Sequence, residues 1–128
     1  MYKDKYLSFI CITYRKAGFY WTLKCLKNQS VKPDEILLIL DSGCTLYDAL
    51  GEEDFIGLEN IRILPYEVPH DYSFAMPANY GLDNLNPKSD YTLVVADHSW
   101  FHPDWVKTHV DLQLEANPAL ISGEKKLH

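Results

Sequence analysis

Residues 35–43 read EILLILDSG, and this stretch decides how the chain can fold. Its aliphatic residues follow one another without polar residues at alternate positions. A strand with one face in water alternates between apolar and polar residues, whereas a strand covered on both faces does not. Asp41 and the Ser-Gly pair after it are typical of a turn. The stretch therefore predicts a central strand of a parallel sheet, with helices packed on both faces.

Similar patterns continue on both sides of this strand. Further short apolar runs, predicted as strands, occupy residues 6–14, 60–65 and 91–96, and another strand is expected to begin at 119–122. Apolar residues at helical spacing predict helices over residues 19–29, 76–85 and 103–115, with a weaker, acidic helical segment at 46–58. Pro77 and Pro103 stand in first turns, where proline is tolerated. This alternation predicts one α/β domain over residues 1–128, with a mostly parallel sheet flanked by helices.

Composition limits the partners and the compartment. The formal net charge is −6, and no basic stripe is present, so duplex nucleic acid is not expected as a partner. A phosphate-bearing small ligand remains open, because backbone amides, a helix N-terminus or a cation can bind phosphate. The three cysteines lack metal-ligand spacing and are expected to be reduced thiols in the cytoplasm. No apolar run reaches membrane-spanning length.

Polar residues follow the three best predicted strands. Thr13, Tyr14 and Arg15 end the first, Asp41 ends the second, and Asp97 with His98 ends the last. Ligands of open parallel sheets bind outside the carboxyl ends of the strands. The alternative is that each aspartate only begins a turn or caps a helix. Their common position predicts a binding site at this edge.

Four segments, in order, carry a resemblance to a known family. They are residues 9–16 with Leu26 and Gln29, residues 33–44, residues 75–82, and residues 90–98 followed by 102–105. Together they resemble the opening of family 2 glycosyltransferases, from about Leu7 to Gly123. The resemblance implies a Rossmann-like GT-A fold that binds a nucleotide-diphosphate sugar.

The resemblance also implies roles for single residues. Thr13 and Tyr14 would line the base pocket, with Tyr14 against a uracil-like ring. Asp41 would accept a hydrogen bond from the base or ribose, and Asn79 would lie near the diphosphate. Arg15 is the nearby guanidinium that could contact phosphate, because the family's arginine before Asn79 is replaced by alanine. The structural alternatives are a half-buried tyrosine, a turn aspartate and a surface amide.

The metal-binding motif departs from the family pattern. Aligned on Pro103, the Asp-x-Asp triplet reads Ala96-Asp97-His98, and shifted by one residue it reads Asp97-His98-Ser99. One carboxylate remains in either case. The resemblance implies a divalent cation held by Asp97 and His98, and Mn²⁺ suits a site with imidazole better than Mg²⁺ does. The alternative is two polar loop residues that bind no metal.

The expected function is transfer of a hexosyl-type sugar, carried by a UDP donor, to an unidentified acceptor. The chain is expected to lack the acceptor-binding half, where the family's catalytic base lies, so no catalytic residue is assigned. A non-catalytic nucleotide-binding module or pseudoenzyme is the alternative. A flavodoxin-like domain is disfavoured because no Gly-rich phosphate loop follows the first strand. Self-association is one way to cover an open sheet edge.

Overall fold

The computed structural model describes residues 1–13, 16–41, 52–67, 75–96 and 99–116. Over these ranges the chain forms four strands, three helices and a short 3-10 turn at Glu52–Phe55. The strands are β1 (Leu7–Thr13), β2 (Glu35–Asp41), β3 (Ile61–Tyr66) and β4 (Tyr91–Ala96). The helices are α1 (Lys16–Lys27), α2 (Ala75–Asp83) and α3 (Trp105–Ala116). None of these helices is long and apolar enough to cross a membrane.

The strands form one sheet in the order β3-β2-β1-β4, and every pairing is parallel. This confirms the predicted α/β class and the predicted parallel sheet. From β1 the chain moves outward to β2 and β3, and it then returns to the opposite side of β1 for β4. The direction of winding therefore reverses between β1 and β4, which makes that position the topological switch point of the sheet.

Two apolar layers cover the two faces of the sheet. Alternate residues of β1 and β2 face each layer, which is why residues 36–40 are aliphatic throughout. On one face, Phe9 packs with Phe101 and Trp105, at ring-centroid distances of 6.0 and 6.5 Å, beside the apolar side of α1. On the other face, Ile10 and its neighbours pack against α2.

Helix α2 lies very close to the sheet at Gly81. A Cβ atom on this glycine would lie 2.9 Å from Cγ2 of Ile10 and 3.1 Å from its Cδ1. Real side chains do not approach so closely, so a residue with a side chain would push the helix outward. Gly81 thus allows the close packing of α2 on β1.

Some element boundaries differ from the expectation. Helix α1 begins at Lys16 rather than residue 19, and α3 begins at Trp105 rather than residue 103. For α1, the apolar pattern shows where the helix meets the core, whereas its first turn can lie outside that contact. Pro103, predicted in the first turn of the last helix, instead lies in a turn that precedes α3. Within residues 46–58, the described part holds only the short 3-10 turn. Residues 119–122 lie outside the described ranges.

Candidate functional site

The carboxyl ends of the strands form a row along one edge of the sheet. In the sheet register, Thr13 pairs with Leu40, Asp41 pairs with Tyr66, and Ala96 pairs with Ile12. Neighbouring strands lie about 4.8 Å apart. The backbones of Thr13 and Asp41, predicted from the sequence to share a site, are therefore brought to the same edge.

The predicted site residues are described to different extents. Thr13 is fully buried at the end of β1. The backbone of Asp41 ends β2, and its side chain is outside the described part. Asn79 is exposed on α2. The other predicted site residues lie outside the described residues: Tyr14, Arg15, Asp97 and His98. Their assigned roles remain predictions.

Asn79 lies on the solvent side of α2. Pro77 and Gly81, two residues before and after it, are buried, whereas Asn79 is exposed. Its amide is therefore accessible to a ligand but does not lie in the helix–sheet contact. Gly81, two residues further along α2, has a packing role against Ile10.

Two tyrosines near this edge were not singled out from the sequence. Tyr66 ends β3, and its ring lies 5.0 Å from the ring of Tyr80 on α2, with an angle of 34° between the planes. Both side chains are half-buried. The sequence pattern placed Tyr66 at the start of a loop, because Pro65 looked like the end of the strand.

A pocket of about 590 Å³ lies at the opposite, amino end of the sheet. It is bounded by the starts of β2 and β3, the residue before β1, and the turn after α2. Its lining residues are Tyr6, Glu35, Asn60, Ile61, Arg62, Asn84, Leu85, Asn86 and Pro87. This pocket is far along the strands from the predicted site.

Glu35 is the central polar residue of this pocket and is almost fully buried. One carboxylate oxygen, Oε1, accepts hydrogen bonds from Ser8 Oγ at 2.5 Å and from the backbone N–H of Asn86 at 3.0 Å. The other, Oε2, lies 3.5 Å from the guanidinium of Arg62. Arg62 also donates to the carbonyl of Asn84, just past the end of α2. Burial raises the pKa of Tyr6, and the negative charge of Glu35 raises it further.

A second buried polar side chain links α1 to the start of α3. Gln29 donates to the carbonyls of His102 at 2.7 Å and Cys25 at 3.3 Å. Its Oε1 accepts from the N–H of Val106 at 3.0 Å, one of the helix's first N–H groups, which have no partner within the helix. Gln29, noticed in the sequence only as part of a motif, therefore holds two elements together.

Metal-binding geometry is absent from the described part of the chain. There, no three His, Cys, Asp and Glu side chains are grouped to hold an ion. His109 on α3 is half-buried with its ring 4.6 Å from that of Trp105. Burial lowers its pKa.

A cluster of charges holds the N-terminal residues onto α3. Asp111 accepts hydrogen bonds from Tyr2 Oη and from Lys3 Nζ, both at 2.9 Å. Lys107, one turn earlier on α3, lies 3.3 Å from its other oxygen. These contacts lower the pKa of Asp111 to about 2, and the hydrogen bond from Lys3 has the largest effect.

Comparison with family models, curated proteins and solved structures found no match to this chain.

Proposed function

We propose that the chain binds a nucleotide-diphosphate sugar, with UDP as the nucleotide, at the carboxyl edge of the sheet, as the donor-binding domain of a GT-A-type glycosyltransferase. The observation that carries the proposal is the strand order with its switch point between β1 and β4. Thr13 ends β1, and Ala96, which ends β4, immediately precedes Asp97. In open α/β sheets, ligands bind at such a crevice.

The start of α1 suits a phosphate group. The helix begins at Lys16, three residues after Thr13, and has no acidic residue in its first turn. The first N–H groups of a helix have no partner within it and carry partial positive charge, which favours an anion. A diphosphate between the ends of β1 and β4 would lie beside this positive end.

Helix α2 adds a second positive helix end on the same side. The turn after α2 contacts Arg62 and Glu35 at the amino end of the sheet, so its first turn points towards the carboxyl end. That first turn also contains no acidic residue. Asn79, exposed on this helix, is proposed to donate its amide N–H to the diphosphate.

A bound cation would complete the donor site. Asp97 and His98 are proposed to hold it, and the carboxylate–imidazole pair favours Mn²⁺. When bound, the cation would neutralise the charge of the leaving diphosphate. Thr13, Tyr14 and Asp41 are proposed to hold the nucleoside.

Calorimetric titration tests this proposal. UDP, GDP and their sugar conjugates are titrated into the full chain with and without Mn²⁺. We expect saturable UDP binding that strengthens with Mn²⁺ and weakens at least about tenfold in Asp97→Ala, a loss of about 1.4 kcal/mol. Asp83→Ala, which removes an exposed carboxylate at the far end of α2, is the matched control and should bind normally. Absence of binding at millimolar nucleotide would refute the proposal.

A non-catalytic nucleotide-binding module is the second candidate. It is favoured by the single carboxylate at the Asp-x-Asp position, because catalysis in this class of site depends on a well-held cation. Hydrolysis or transfer of a UDP-sugar by the purified chain separates the two candidates. Turnover that is abolished by Asp97→Ala would exclude the module, whereas binding without turnover would support it.

A further inference from the structure

The carboxyl edge carries a pair of aromatic rings beside the predicted nucleoside site. Tyr66 is the in-register neighbour of Asp41, the residue proposed to hold the base or ribose. Its ring stacks at a tilt against Tyr80 of α2, with centroids 5.0 Å apart. The pair therefore lies one strand away from Asp41, on the side away from β1.

The two rings pack on the sheet, but neither is fully buried. Both pack against the apolar layer formed by Ile10 and Ile39, and both remain half-buried. Among the described residues, no hydrogen bond joins either phenolic hydroxyl to another group. Tyr66 is also the last residue of β3, so its backbone lies at the edge of the sheet where the proposed ligand binds.

Tyr66 lies two strands away from the end of β1. β1 and β3 lie on opposite sides of β2, so their ends are about 10 Å apart, twice the strand spacing. A nucleobase above the end of β2 would lie between the ends of β1 and β3, with Tyr66 on the β3 side. Aromatic side chains that flank a base hold it by stacking.

We propose that Tyr66 is a base-stacking residue of the nucleotide site and that Tyr80 positions its ring. This inference rests on the proposed function and adds to it. It makes the site selective for ligands with an aromatic base, because sugar phosphates and pyrophosphate gain nothing from the ring. The hydroxyl of Tyr66 is not needed for stacking, so Phe can replace it.

Titration of three probes tests the inference. UDP, uridine and inorganic pyrophosphate are titrated into the full chain and into Tyr66→Leu, Tyr66→Phe and Tyr80→Leu. Stacking on one aromatic ring corresponds to roughly a 5- to 150-fold change in affinity. We expect Tyr66→Leu to weaken UDP and uridine by a factor in this range and to leave pyrophosphate unchanged. Tyr66→Phe should keep the affinity, and Tyr80→Leu should cause a smaller loss than Tyr66→Leu.

A matched control separates stacking from general damage to the fold. Tyr20→Leu removes another half-buried tyrosine, on α1, whose ring lies 6.0 Å from Phe19 on the opposite face. This control should bind all three probes as the wild type does. Equal UDP affinity in folded Tyr66→Leu and wild type would overturn the inference while leaving the proposed function in place. Absence of nucleotide binding in the wild type would instead overturn both.

If Tyr66→Leu does not fold, a measurement on the protein that retains Tyr66 tests the inference. Tyrosine is replaced by 3-fluorotyrosine, and the fluorine resonance of Tyr66 is assigned from its absence in Tyr66→Phe. UDP and uridine should shift this resonance, and pyrophosphate should not. A resonance that does not move at saturating UDP would contradict stacking on Tyr66.

Discussion

The amino and carboxyl ends of the sheet both carry polar residues, but they use them differently. At the amino end, Glu35 is bonded to Ser8, Arg62 and the backbone of Asn86, and this network joins three strands to the turn after α2. At the carboxyl end, the polar residues follow the strands near the switch point. A pocket lies at the amino end, and its buried carboxylate is already bonded to partners within the chain. We therefore assign the polar residues of the amino end a structural role and keep the proposed ligand site at the carboxyl end.

The largest effect is expected from the amino end. Glu35→Leu should lower the free energy of unfolding by about 2–4 kcal/mol, because Ser8 and the N–H of Asn86 lose their acceptor and Arg62 loses its ion-pair partner. Urea unfolding followed by circular dichroism measures this change, and Glu53→Leu, at an exposed glutamate, is the control. UDP affinity should not change. A folded Glu35→Leu protein with at least tenfold weaker UDP binding would place the ligand site at the amino end instead.

Gln29→Leu should have the next largest effect. The substitution leaves the carbonyl of His102 and the N–H of Val106 without their side-chain partner, so we expect a loss of about 1–3 kcal/mol. Thermal and urea unfolding provide the measurement. The adjacent, exposed Asn28→Ala is the control and should change little. A neutral Gln29→Leu substitution would show that α3 does not depend on this link.

Asn79→Ala tests the proposed ligand site at the carboxyl end of the sheet. The residue is exposed in the interior of α2, so the free energy of unfolding should change by less than about 0.5 kcal/mol. The affinity for UDP should fall, whereas uridine, which lacks the diphosphate, should bind as before. Calorimetry on both ligands gives the result. Unchanged UDP affinity would remove Asn79 from the proposed site.

The smallest effect is expected from the surface cluster around Asp111. Its pKa of about 2 in the folded chain is below the ordinary value of 3.8, so the unfolded chain binds more protons between these values. Its contribution to stability is therefore complete above the unfolded pKa and is lost as the pH falls towards 2. Asp111→Asn should flatten the dependence of unfolding free energy on pH in this acid range. An identical pH profile in Asp111→Asn would contradict the role of Lys3 and Tyr2.

The local sequence pattern was sufficient to predict the strands, but it did not show which groups bond to the polar residues of those strands. The apolar runs predicted β1, β2 and β4, and in β1 and β2 burial on both faces demands apolar residues almost throughout. Glu35, by contrast, looked like the ordinary first residue of a strand. Its partners Asn86 and Arg62 are distant in sequence, so only the folded chain shows that this carboxylate is buried and bonded.

The proposed site was partly visible in the sequence. Thr13 and Asp41 were predicted to share an edge, since parallel strands that follow one another end on the same side. Tyr66 was missed because Pro65 in the strand pattern looked like a stop. Proline is tolerated in an edge strand, where an N–H can be absent without loss of a bond, and β3 lies at one edge of the sheet that the described strands form.

The sequence by itself determined the α/β class, the buried strands and the edge at which polar residues gather, because hydrophobic periodicity and strand polarity are local properties. Tertiary structure alone decided the order β3-β2-β1-β4, and with it the switch point between β1 and β4. It also decided that Gly81 lies against Ile10 and that Tyr66 lies beside Asp41. These relations depend on pairing between segments far apart in the chain, and no local pattern specifies which segment becomes the neighbour of another.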